Sequence, residues 1–213
     1  MEKKKNDFIA QGSILAIASI LVRVMGMIYR IPMTAIIGDK GNGFYSYAYS
    51  VYTILLLLSS YSLPLAVSKM VSAKAQLGQW RNVKRVFICA IAFAIGIGTT
   101  FGLIVLIGAQ FFTRVFFHSE LAAIALRFMA PTILIMALLG VFRGFFQGLQ
   151  NTLPTAVSQI VEGLINAIMS VVFAYFLFDF GHGMDAAGGT TDLGYAWGAA
   201  GGAIGTGAGA LAG

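Results

Sequence analysis

The chain has 213 residues, of which 58% are hydrophobic and only 10% charged. A soluble domain carries about 25% charged residues, so this composition cannot cover a water-facing surface; with a mean hydropathy of +0.84 it excludes soluble enzyme folds and requires a bilayer. Fourteen Lys and Arg against eight Asp and Glu give a net charge of +6, an excess that in so apolar a chain points to loops facing anionic lipid rather than to nucleic acid.

The first residues, Met1 to Lys5, precede an apolar run that imitates a signal peptide, and Ala16-Ile17-Ala18 offers a small-x-small site. The apolar stretch continues past Arg23 to about Ile37, too long for a cleaved leader and long enough to span. Reading apolar runs against turn signals places spans at 13–37, 46–68, 86–112, 121–142, 155–178 and 195–213. Such lengths suit α-helices only, so the expected fold class is an all-α polytopic membrane protein. Residues 1–12 then form a tail and 13–213 a lobe of about six transmembrane helices. The intervening breaks are rich in Gly, Pro and charge, as in Gly38-Asp39-Lys40-Gly41-Asn42-Gly43. Pro32, Pro64, Pro131 and Pro154 read first as punctuation near span ends, with Pro64 also able to kink the second helix.

Assigning alternate breaks to alternate sides collects Lys3, Lys4, Lys5, Lys69, Lys74, Arg81, Lys84, Arg85 and Arg143 on one side, against Lys40 and Arg114 on the other. The positive-inside rule then expects a cytoplasmic N-terminus, with the acidic Asp179, Asp185 and Asp192 outside. In the last span, the pairs Gly198/Gly202, Gly201/Gly205, Gly205/Gly209 and Gly209/Gly213 let another helix approach closely. A span built for close packing that ends at the last residue leads us to expect a truncated chain.

Charged groups within a span cost about 2.5–3.5 kcal/mol on insertion scales and need a reason. In the first helix Ser19, Arg23, Gly26, Arg30 and Thr34 follow at steps of four, three, four and four, which is one helical face. Two guanidiniums on one stripe suit a phosphate-bearing ligand; snorkelling, or an ion pair with the fifth helix, is the plainer alternative. The fifth helix repeats the pattern with Thr155, Gln159, Glu162, Asn166 and Ser170. Glu162 is the one acidic residue deep within a span, a candidate either for function or for interhelical hydrogen bonding, and Gln159 and Asn166 share that ambiguity. Arg127 lies near enough to a span end to snorkel, and Phe44, Tyr45, Tyr47, Tyr49 and Tyr52 read as an interfacial belt, or as cavity lining if they face inward. Gly144 and Gly148 suit either helix packing or a flexible end. Cys89 stands alone, and His118 and His182 lack a second ligand at helical spacing, so no metal and no cofactor is expected. No nucleophile triad or nucleotide loop converges, so neither catalysis nor ATP-driven pumping is expected of this chain.

Several segments together carry a resemblance: Arg23 to Met33, the turn Gly38 to Tyr45, Ser62 to Lys69, and Arg143 to Glu162. They resemble the polysaccharide-transporter branch of the MATE-like (MOP) superfamily, in the group that holds MurJ-type lipid II flippases and stage V sporulation protein B. The resemblance covers residues 8–178. It implies two six-helix lobes around a central cavity that opens alternately to each side, of which this chain supplies the N-terminal one and the C-terminal lobe is missing. It further implies first-helix arginines that line the cavity and meet a diphosphate, a role matching Arg23 and Arg30 by location. On this reading the chain belongs to a flippase of lipid-linked cell-wall or polysaccharide precursors in the bacterial cytoplasmic membrane, with a peptidoglycan precursor as the leading substrate. The candidate substrate-binding residues are Arg23, Arg30, Gln159, Glu162 and Asn166. The partners are the lipid-linked glycan diphosphate and membrane lipid, and the motion is driven without ATP. The runner-up is a MATE-type drug or cation exporter, whose cavity would be acidic or aromatic, and a third reading is a scaffold that only packs other membrane proteins.

Overall fold

The computed structural model describes residues 2–60, 62–188 and 192–213, with side chains from Gly12 onward, except those of residues 187 and 188. The side chains of Lys3, Lys4 and Lys5, which contribute to the charge asymmetry, lie outside the described residues. Six helices follow in chain order: α1 Glu2–Ser59, α2 Leu63–Gln76, α3 Trp80–Phe117, α4 Ala122–Gly148, α5 Leu153–Gly188 and α6 Leu193–Ala212. Among the described residues there is no strand. Four stretches are long and apolar enough to cross a membrane, namely Gly12–Gln76, Trp80–Phe117, Ala122–Gly148 and Leu153–Ala186. The chain is an all-α polytopic membrane protein.

The first of these stretches is not straight. Gly38 has φ 64° and ψ −178°, a conformation that L side chains rarely adopt, and it breaks α1 into two arms. Met33 Cε and Tyr45 Cδ2 both lie within 3.1 Å of where a methyl group on Gly202 would sit. Twelve residues of straight helix would separate them by about 18 Å, so the arms fold back on each other at Gly38, where a turn between two spans was expected. Both arms feed one core: Met33 and Ile37 from the first and Tyr45, Ala48 and Tyr52 from the second join Leu126, Met129 and Ile133 of α4.

The expected second span, 46–68, corresponds to two elements. Its helix stops at Ser59 and a separate short helix, α2, starts at Leu63 with Pro64 in its first turn. Pro64 therefore opens a helix instead of kinking one, and Pro154 likewise stands at the second position of α5. Pro32 and Pro131, by contrast, lie inside α1 and α4 and punctuate nothing. The helices also overrun their expected spans. α3 and α5 have 38 and 36 residues, or about 55 Å each, because hydropathy marks where lipid contact ends and not where the backbone hydrogen-bond ladder ends. Arg143, expected in a break between spans, thus stands inside α4.

α6 is the axis of the lobe. Its glycines meet α5 in antiparallel register: Gly194 faces His182, Gly198 faces Phe178, Gly201 faces Ala174, Gly205 faces Ser170 and Gly209 faces Asn166. Gly198 also meets Ile37 of α1, and Gly207 meets Thr132 of α4. With helices packed on several sides there is no room for larger residues, and that packing offsets the roughly 1 kcal/mol per residue by which glycine weakens a helix. The same device seats Gly98 of α3 on Leu134 of α4, and Gly144 and Gly148 of α4 on Pro64 and Val71 of α2; the latter pair is a packing contact, not a flexible end. Outside, large apolar residues such as Ile31, Leu65 and Ile107 stand 74%, 76% and 80% exposed, as a lipid-facing surface requires.

A leucine at Gly205 would have to enter the Ser170 backbone, so Gly205→Leu is expected to cost about 3 kcal/mol or more and to lower the thermal midpoint of the detergent-solubilised protein. Gly96, where an added Cβ would meet nothing within 4 Å, serves as the control, and Gly96→Leu is expected not to lower the midpoint, since it also removes the helix-weakening effect of glycine.

Candidate functional site

The packed face of the first arm of α1 runs through Ala18, Val22, Met25, Tyr29, Met33 and Ile37; Met25 and Val22 close on Gly163 of α5 at 3.2 and 3.3 Å from its Cβ position. Arg23 and Arg30 lie on the flank of that face, between it and the apolar surface of Val24, Met27, Ile28 and Ile31. Both arginines are exposed, and among the described residues neither makes a hydrogen bond or ion pair. The alternative of an internal pair between these arginines and the fifth helix is therefore not what the structure has.

The carboxylate of Glu162 is paired elsewhere. Arg143 Nη2 donates to Glu162 Oε2 at 2.6 Å and to Ser158 Oγ at 2.7 Å, and Arg143 Nε donates to Ser158 Oγ at 3.0 Å. The two charged side chains are 13% and 24% exposed. Thr155 Oγ1 reaches the Arg143 carbonyl at 3.5 Å, so the first two turns of α5 are tied to the last two turns of α4. Arg143, Thr155 and Ser158 form the polar floor of an otherwise apolar cleft of about 450 Å³ between α4, α5 and α6, walled by Leu138, Phe142, Phe146 and Leu211.

Farther along the α5 stripe, Asn166 and Ser170 are turned toward α6. Ser170 Oγ donates to Asn166 Oδ1 at 2.8 Å and lies 3.3 Å from the Gly202 carbonyl, and Asn166 packs beneath Gly209. Gln159 Oε1 is buried without a partner among the described residues. Of the five candidate residues, then, Gln159, Glu162 and Asn166 share one helix face against the bundle, and Arg23 and Arg30 share a different, open face. Arg127 is exposed on α4. The aromatic cluster divides: Tyr45 and Tyr52 are 3% and 2% exposed and belong to the core, with Tyr45 Oη 3.4 Å from Thr206 Oγ1. Tyr47 stacks on Phe117, and Tyr49 is 42% exposed. An interfacial belt does not describe the two buried tyrosines. At the opposite end from Arg143, Lys40 Nζ meets Asp192 Oδ1 at 3.0 Å, and Asp185 accepts the backbone N–H groups of Leu193 and Gly194, fastening the turn at Gly38 and the start of α6. No group of three or more metal-ligating side chains occurs among the described residues.

The structure is that of a multi-pass helical membrane protein with an open cationic flank on α1 and a second, half-buried polar stripe on α5. The sequence pattern of the family described as polysaccharide biosynthesis protein matches residues 8–211, and the chain belongs to that family. Among curated proteins of Bacillus subtilis (strain 168), it is 27% identical to lipid II flippase MurJ over 163 residues, 73% of this chain and 30% of the relative. It is 26% identical to stage V sporulation protein B over 184 residues, 86% of this chain and 36% of the relative. The uncharacterized membrane protein YabM is 26% identical over 185 residues, 86% of this chain and 34% of the relative. The chain thus spans about a third of the length of the curated relatives it matches. No solved structure matches it at a significant level.

Proposed function

We propose that this chain is the N-terminal lobe of a transporter that carries lipid-linked glycan diphosphates, of which lipid II is one, across the bacterial cytoplasmic membrane, with its own N-terminus cytoplasmic. The observation that carries this reading is the pair of exposed arginines, Arg23 and Arg30, on one flank of α1, which have no partner among the described residues. An unpaired guanidinium in a membrane is costly unless a wet path or an anion meets it, and its planar fork matches phosphate oxygens. Seven residues of helix set the two about 10 Å apart along the axis, so a diphosphate can pass from one to the other. Glu162, paired with Arg143, Asn166, packed on α6, and Gln159, whose Oε1 is buried, shape the wall and do not meet the ligand first. The lipid tail stays in the bilayer, and a second lobe completes the cavity and rocks against this one. The chemistry is transport without bond making or breaking, and the cargo of the family, polysaccharide precursors, fits it. An exporter of cations would be opposed by two positive charges in its path.

The test uses a Cys89→Ala background with Gly26→Cys on the arginine flank and Ile31→Cys on the apolar surface. A water-soluble thiol reagent is expected to modify position 26 and to spare position 31, and added polyprenyl diphosphate is expected to slow the reaction at 26. Labelling at 26 that polyprenyl diphosphate leaves unchanged and a lipophilic cation slows would overturn this reading in favour of the exporter.

A further inference from the structure

We infer that the second arm of α1 carries a carbohydrate-binding strip beside the arginines, so that sugar and diphosphate of one lipid-linked ligand are held by the two arms of the same helical hairpin; the inference rests on the diphosphate reading above. On the second arm Ser46, Tyr49, Ser50 and Thr53 occur at steps of three, one and three, a single helix face. That face is not part of the packed one, which runs through Tyr45, Ala48 and Tyr52. Tyr49, Ser50 and Thr53 are exposed and Ser46 is half-buried. Four hydroxyl-bearing residues on one face suit a wet or ligand-lined surface better than lipid, even where the backbone satisfies a hydroxyl proton.

Depth registers the two strips. Arg30 lies eight residues before the reversal at Gly38 and Ser46 eight after it, while Arg23 and Thr53 lie fifteen before and fifteen after. At 1.5 Å per residue each pair stands at about the same level, and Tyr49 and Ser50 fall between the two arginines. The seam between the arms passes Met33 and Tyr45, which meet at Gly202. Tyr49 stacks on Tyr45 with centroids 5.8 Å apart and an interplanar angle of 20°, and lies 5.9 Å from the Tyr52 ring. Its neighbours thus fix the ring while 42% of the residue remains open.

The chemistry suits a sugar. A fixed aromatic face stacks against the apolar C–H face of a pyranose, and hydroxyls around it exchange hydrogen bonds with the ring hydroxyls. Ser50 Oγ donates to the Ser46 carbonyl at 2.8 Å and Thr53 Oγ1 to the Tyr49 carbonyl at 2.7 Å. Their protons are thereby committed to the backbone, and their oxygens are left to accept from the hydroxyls of a ligand. A bare anion gains nothing from acceptors of this kind, and a polyol does.

The experiment measures binding of polyprenyl diphosphate, and of the same lipid bearing one hexose, to the protein in nanodiscs. The wild-type protein is expected to hold the glycosylated lipid about tenfold more tightly than the bare one. Tyr49→Ala is expected to erase that difference with bare-lipid affinity unchanged, and Ser50→Val, which blocks one acceptor with no change to the aromatic stack, to reduce it. Equal binding of both lipids by the wild-type protein overturns the inference and leaves the diphosphate reading standing, as does a Tyr49→Ala protein weakened equally toward both. Failure of the wild-type protein to bind either lipid overturns the diphosphate reading and the inference together.

Discussion

Arg143→Met is expected to lower the thermal midpoint of the detergent-solubilised protein by roughly 10 °C, a drop that corresponds to about 3 kcal/mol for a chain of this size. The substitution removes three hydrogen bonds to Ser158 and Glu162 and leaves a largely buried carboxylate with no counter-charge. Breaking such a pair from one side costs about 3–5 kcal/mol, and the partial exposure of Glu162 keeps the value at the lower end. Glu162→Gln retains an acceptor for the guanidinium and is expected to cost less. The double variant Arg143→Met/Glu162→Met removes both charges and is expected to regain most of the loss, because a well-packed apolar pair often replaces a buried ion pair at little cost. A single Arg143→Met protein as stable as the wild type, or a double variant no better than the single, would show that the pair does not tie α4 to α5.

Loss of the Arg23 guanidinium is expected to weaken binding of polyprenyl diphosphate more than a hundredfold while the folded protein remains at normal abundance. A pair of hydrogen bonds to a charged partner contributes about 3 kcal/mol, which is that factor in affinity. Because Arg23 has no partner within the described residues, Arg23→Ala orphans nothing and is not expected to destabilise the fold, unlike Arg143→Met. Arg23→Lys keeps the charge and loses the planar fork, so it is expected to retain part of the affinity, with a loss of about tenfold. Equal affinities for wild type, Arg23→Ala and Arg23→Lys would remove Arg23 from the ligand site.

Much of the architecture was legible because a bilayer leaves few options: composition fixes the solvent, and apolar length fixes the helix. The turn at Gly38 was legible in its glycines, and α6 in its GxxxG pairs, whose partner proves to be α5. The short helix α2 was not, because the hydropathy of 46–68 stays high across Ser59 and Ser60; the cluster of serines before Pro64 was the available signal. The arginine stripe of α1 could be read from spacing alone, since one helix suffices to define a face. The Arg143–Glu162 pair could not, because it depends on where α4 ends. Once α4 runs on to Gly148 and α5 starts at Leu153, the two residues stand on turns that face each other across the short connection between these helices. The division of the tyrosines into buried and open ones required the hairpin at Gly38, which decides which side of the second arm is covered.

The central claim, that the open cationic flank of this lobe receives a lipid-linked diphosphate, is tested most directly by native mass spectrometry of the wild-type protein in nanodiscs offered polyprenyl diphosphate and a lipophilic organic cation together. Saturable one-to-one retention of the polyprenyl diphosphate, with the cation not retained, is the predicted result; retention of the cation and not of the diphosphate would contradict the account.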